Sequence, residues 1–253
     1  MRKTRSKIVA GILGTLLSLP VFGQQLARTG GTYDKQIQEN VNKLLQGDKK
    51  YSKVTATVED SIVNLTGTVD LYATKAKLEQ KARKEDKVAG VRDLITVAGV
   101  SMPDAQLQDK LADKLRYDRE GQGIVFNNLT LGVENGIATI GGTVRTPVDK
   151  DSALSLVTNM PGVKDVVDQI QVAPASFSDD SIRLRVARAI YGHLPPAYGN
   201  DPQAPIRIVV VNGKVDLFGV VDSSVDRSVA VMQARSVPGV FAVNDHLVVP
   251  GKG

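Results

Sequence analysis

The chain has 253 residues, with 32 Lys and Arg against 27 Asp and Glu, two His, no Cys and no Trp. The missing cysteines exclude a disulfide framework, a thiol nucleophile and a thiolate metal site. The formal charge of +5 does not point to nucleic acid. Four of the 32 basic residues (Arg2, Lys3, Arg5 and Lys7) sit at the extreme N-terminus, and without them 28 bases face 27 acids, a net of +1.

Those four charges precede an apolar run from Ile8 to Phe22, and Val21-Phe22-Gly23 places small or modest residues where a signal peptidase reads. Residues 1–23 are therefore expected to be a cleaved export signal with Gln24 as the mature start. The apolar run is short for a membrane span. Without cysteine the segment is not expected to be a lipoprotein signal. An exported chain without disulfides suits a bacterial periplasm.

From Asp34 onward the chain says one thing three times. Asp34 is followed by Ile37, Val41 and Leu45; Asp104 by Leu107, Leu111 and Leu115; Asp179 by Ile182, Val186 and Ile190. Each Asp reads as an N-cap and each apolar set as one helix face. A strand follows, with alternating Val54, Ala56 and Val58, then Leu129, Leu131 and Val133, then Ile206, Ile208 and Val210. Asn135-Gly136 and Asn212-Gly213 supply the positive-φ pair of a two-residue hairpin, and Asp60-Ser61 is a weaker version. The second strands carry Val63 and Leu65, Ala138 and Ile140, and Val215 and Leu217, and end at Gly67, Gly142 and Gly219.

A second helix and a last strand complete each copy. Met160-Pro161-Gly162 and Val237-Pro238-Gly239 stop the second helices of the later copies. Matching Gly90 to Gly162 and Gly239 makes the first copy longer by three residues, close to one added turn between Lys75 and Lys87. The last copy carries an insertion, Gly192 to Pro205, whose Pro and Gly content predicts irregular structure. The fold class expected is α+β: three tandem αββαβ domains, each a three-stranded mixed sheet with two helices on one face. The copies span 34–99, 102–173 and 179–250, with linkers short enough that neighbours should touch.

The Asp-led helix, the V-x-L-x-G-x-V strand and the terminal G-V strand resemble the BON domain, the bacterial OsmY and nodulation module. The pattern stands as Val63-Leu65-Gly67-Val69 with Gly90-Val91, Ala138-Ile140-Gly142-Val144 with Gly162-Val163, and Val215-Leu217-Gly219-Val221 with Gly239-Val240. The resemblance implies a non-enzymatic periplasmic envelope protein that attaches to phospholipid membranes, or chaperones outer-membrane proteins, under osmotic or envelope stress. It also implies a ligand-facing groove at Gly67, Gly142 and Gly219. Read from geometry alone, those glycines serve a bulge or a close backbone approach.

Two basic stretches could meet anionic headgroups. The second helix of the first copy carries Lys75, Lys77, Lys81, Arg83, Lys84 and Lys87, diluted by Glu79, Glu85 and Asp86. The first helix of the third copy offers Arg183, Leu184, Arg185, Arg188 and Tyr191 as membrane contacts. The partner expected is an anionic phospholipid surface, with envelope proteins as the alternative and no nucleic acid. No cofactor and no catalytic set is expected, because His193 and His246 lack clustered ligands or a nucleophile motif.

Overall fold

The computed structural model describes residues 31–117, 124–201 and 205–251. The export signal expected over 1–23 lies outside them. Each third of the chain builds the expected αββαβ unit. The first has α1 (Asp34–Gln46), β1 (Val54–Glu59), β2 (Ile62–Val69), α2 (Tyr72–Arg83) and β3 (Gly90–Val97). The second has α3 (Asp104–Tyr117), β4 (Asn128–Glu134), β5 (Ile137–Val144), α4 (Pro147–Thr158) and β6 (Asp165–Val172). The third has α5 (Phe177–His193), α6 (Pro196–Asn200), β7 (Ile206–Val211), β8 (Lys214–Val220), α7 (Ser224–Ser236) and β9 (Ala242–Val248).

In every sheet the second strand is central, antiparallel to the first and parallel to the third. One strand face packs under the two helices. Val63 and Leu65, Ala138 and Ile140, and Val215 and Leu217 are wholly buried there beside the helix residues the periodicity marked, such as Ile37, Leu111 and Val186. Three distinct cores form, one under the helices of each copy, with Phe126 of the second copy entering the third. A core of this size supports a domain of about 70 residues only modestly, so contacts between copies matter.

The three aspartates are not N-caps. The Asp34 carboxylate accepts the backbone N–H of Asp60 at 3.1 Å and of Ser61 at 2.8 Å. Asp104 holds Asn135 and Gly136 at 2.6 and 2.9 Å, and Asp179 holds Asn212 and Gly213, both at 2.9 Å. Each carboxylate clamps the hairpin turn of its own sheet with both oxygens, tying the first helix to the sheet. The turns have positive φ at both central residues, 52° and 61° even at Asp60 and Ser61. Two donors to one carboxylate help offset the strain that non-glycine residues meet in that region.

The added turn expected in the first copy is absent. α2 and α4 have 12 residues each. The residue matching Gly162 and Gly239 is Lys87, 20 positions after Gly67, with φ of +64° against +102° and +93° at the glycines. Gly90 instead pairs with Ile62, the place Asp165 takes beside Ile137. The glycine pattern misaligned the copies because a lysine takes the left-handed position in one of them.

The insertion of the third copy is also corrected: it contains a regular helix, α6. Pro196 suits the first helical position, where its missing N–H is not needed. Tyr198 is buried and its hydroxyl accepts the N–H of Asp222 at 2.6 Å and donates to Asp226 at 3.2 Å. That phenol anchors the insertion to the start of α7.

The copies touch, as the linkers demanded. Phe126, just before β4, belongs to the core of the third copy with Val125 packed beside it. Arg145 closes this joint: its guanidinium bonds Asp180 at 3.1 Å and lies 5.9 Å from the Phe126 ring centroid. Its backbone N–H donates to buried Asn127 at 2.8 Å. Between the first and second copies Tyr72 packs against the second core and lies beside Asp165.

Candidate functional site

The three glycines stand at equivalent places, opposite the entry of the first strand: Gly67 pairs with Val54, Gly142 with Leu129 and Gly219 with Ile206. Their φ values are +118°, +99° and +126°. A Cβ would lie 2.1 Å from the Lys53 carbonyl oxygen, 2.1 Å from that of Asn128 and 1.9 Å from that of Pro205. Both demands exclude a side chain, so fold geometry alone accounts for glycine here. Gly219 also borders a 330 Å³ cleft with Arg116, Asn128 and Arg207 between the second and third copies.

The third-copy helix divides the residues expected to meet a membrane. Arg183 is buried, 3 % exposed, and cannot present its charge to a bilayer. Its guanidinium donates to Asp180 at 2.6 Å and to the Val210 carbonyl at 2.5 Å, because its position on α5 faces the sheet. Tyr191 is likewise engaged inside. Its hydroxyl donates to the Ile206 carbonyl at 2.8 Å and accepts the Ile206 N–H at 3.1 Å. Burial pushes that phenol up to about 12, with the Ile206 contact acting the other way. Leu184, Arg185 and Arg188 do lie on the outer face, Leu184 being 49 % exposed.

The outer face continues to a residue the sequence reading passed over. Phe177, seven positions before Leu184 on the same helix face, is 98 % exposed. At the same end Phe241 is 86 % exposed and packs its ring edge on the Asn212-Gly213 turn. A signal for both was available. The chain has five Phe, and the positions matching Phe177 and Phe241 in the second copy hold Met102 and Lys164. Periodicity hid them because neither lies on a core face.

Four cations of the basic stretch in and after α2 are engaged locally. Lys75 donates to the Ile95 carbonyl at 2.8 Å, and Arg83 pairs with Glu79. Lys81 and Lys87 each lie 5.7 Å from a ring centroid, of Tyr51 and Tyr33. The open groove beside it, about 740 Å³, mixes Lys43, Lys81 and Lys84 with Asp48 and Glu85. It has no single sign of charge to select an anion.

His193 bonds the Ala189 carbonyl at 2.8 Å, and His246 stacks on Phe218 at 4.6 Å with Asp216 at 3.2 Å. Among the described residues no group of three or more His, Cys, Asp or Glu could hold a metal ion. Among them too, no helix is long and apolar enough to cross a membrane.

The family model described as the BON domain matches residues 33–99, 103–174 and 178–251. An "Uncharacterized protein in gshII 5'region" of Anaplasma centrale is 23 % identical over 142 residues, 55 % of this chain and 94 % of that one. Among solved structures, CdsD of Chlamydia trachomatis, a structural protein of the type III secretion system, aligns at 19 % identity. The alignment covers 85 % of this chain and 92 % of that one, with a TM-score of 0.24. The C-terminal domain of CdsD gives 18 % identity, 83 % and 96 % coverage and a TM-score of 0.21. Scores this low carry no argument about shared arrangement.

Proposed function

The chain belongs to the BON-domain family, with three copies in tandem, and on that premise we propose a non-enzymatic periplasmic envelope protein that binds anionic phospholipid surfaces through its third copy. BON domains bind phospholipids and occur in envelope and osmotic-stress proteins, which supports the reading. The observation that carries it is the outer face of α5, where Leu184, Arg185 and Arg188 stand exposed beside one another. Exposed guanidiniums next to apolar surface favour anionic headgroups by about 1 kcal/mol per charge near the surface. The test is co-sedimentation of the mature chain with phosphatidylglycerol or phosphatidylcholine vesicles at low and high salt. Binding to phosphatidylglycerol that weakens with salt is the expected result, and Arg185→Glu with Arg188→Glu should reduce it. Equal recovery with both lipids, or none with either, rejects the proposal.

A second reading, a chaperone or scaffold for envelope proteins, is favoured by the sheet edges. Among the described residues the outer strands β3, β6 and β9 pair on one side only, and an extended client strand could add there. Suppressed aggregation of an unfolded outer-membrane protein would support it, and no suppression at a molar excess would remove it.

A further inference from the structure

We propose that Phe177 and Phe241 form an insertion tip at one pole of the third copy, two aromatic wedges that enter an anionic bilayer beneath its headgroups. The proposal rests on the phospholipid reading above and locates the depth-seeking part of that surface.

Three segments meet at this pole: the start of α5, the turn between β7 and β8, and the loop before β9. Asp179 ties the first two by accepting the N–H groups of Asn212 and Gly213. The Phe241 N–H donates to the Gly213 carbonyl at 2.8 Å, tying the third. The scaffold is therefore fixed by hydrogen bonds while both rings project outward. Neither ring fills a core, since the third core closes without them. Single exposed apolar residues are ordinary on protein surfaces. Two nearly fully exposed Phe on one pole, in a chain that is 4 % aromatic, are not.

Charge says what covers them. Arg185 reaches the loop before β9, 3.7 Å from where a Cβ on Gly239 would sit, and Lys214 is exposed at the turn. The two acidic residues of these segments are neutralised in place. Asp179 is buried under the turn, and Asp180 is held by Arg145 and Arg183. Beside the two rings and the neutral Ser178 and Asn212, the outward charges without an acidic neighbour are cationic, Arg185 and Lys214, which fits an anionic bilayer. The other copies lack the device: the matching pairs are Thr32 with Ala89 and Met102 with Lys164, and Met102 packs against its own core.

The chain contains no tryptophan, so Phe177→Trp and Phe241→Trp each create a single fluorescent reporter. The expected result on phosphatidylglycerol vesicles is a blue shift and quenching by brominated acyl chains at both positions. Val148→Trp, on the outer side of α4 and 73 % exposed, should show neither. Phe177→Ser with Phe241→Ser should weaken binding roughly tenfold or more, chiefly the part that survives high salt. Co-sedimentation of the native chain with both reporters silent overturns the tip and leaves the phospholipid reading standing. Failure of the native chain to co-sediment overturns both. A concentration-dependent blue shift without vesicles would mean that the pole seats a second copy of the chain, which also overturns the tip.

Discussion

Tyr51 and Phe126 occupy the same place in two copies of one fold, three residues before the residue that faces Gly67 or Gly142. Their destinations are opposite. Tyr51 turns into the core of its own copy, whereas Phe126 crosses to the core of the next. The first copy is thus internally complete, and the second and third share an aromatic plug sealed by Arg145 and Asp180. One aromatic at one position can either finish a domain or weld two together.

The largest expected effect breaks that weld. Phe126→Ala should cost about 3–5 kcal/mol, the range for emptying an aromatic site in a core. The loss should fall on the third copy, which does not contain residue 126. Tyr51→Ala should cost a similar amount but loosen the first copy alone. Hydrogen exchange resolved by segment checks this. Protection lost only within residues 124–172 of the Phe126→Ala chain would contradict the weld.

Next in size is alkaline destabilisation of the third copy. The Tyr191 phenol ionises near 10 when unfolded but at about 12 in the fold. The stability it contributes is fully present below 10 and is lost as pH rises towards 12. A shift of this size is worth roughly 2–3 kcal/mol. Denaturant unfolding across that window should show the slope, and Tyr191→Phe should flatten it. An unchanged slope would place the phenol in solvent rather than on Ile206.

Much of this architecture was legible in the sequence, and the misses have a common cause. Apolar spacing marked Ile37, Val41, Leu111, Val186 and their strand partners, because burial on a helix or strand face leaves a period. The strand-end glycines were legible because φ and the opposing carbonyl exclude a side chain. Phe126 was not, because a single residue before a strand has no period and its contacts lie in another copy. Arg183 was misplaced because a helix face near the boundary can hide a charge when a carbonyl and a carboxylate receive it. The aspartate clamps were read as local caps, although their partners lie 26 to 34 residues away.

Those clamps give the third prediction. Asp179 is buried, whereas Asp34 is only partly so. Removing either acceptor strands two turn N–H groups, at a cost of about 1–3 kcal/mol when water cannot reach them. Asp179→Ala should therefore destabilise more than Asp34→Ala, where solvent replaces the carboxylate. Thermal unfolding of the two variants compares them directly, and equal losses would show that the two turns are equally wet.

The smallest effect concerns the other joint. Where Arg145 and Asp180 match charge for charge, the contact of Tyr72 with Asp165 brings Asp93, Glu79 and Asp165 near one another, with Lys75 as a cation beside them. Burial above all pushes Asp93 up from the usual carboxylate range; Glu79 and Asp165 push the same way, and the Ile95 N–H and Lys75 oppose them. Its second oxygen is buried with no hydrogen-bond partner among the described residues. A carboxyl raised in the fold favours folding below its unfolded pKa near 4, and that contribution is lost as pH rises through the raised value. Acidification from neutrality should relieve the joint between the first and second copies. Asp93→Asn keeps the oxygen that accepts from Ile95 at 2.9 Å and removes the charge. It should be neutral to stabilising at pH 7, by less than about 1 kcal/mol, with a weaker pH slope in the mildly acidic range. A clear loss of stability at pH 7 would instead make the Asp93 charge a support for Lys75, and the first joint would then resemble the second.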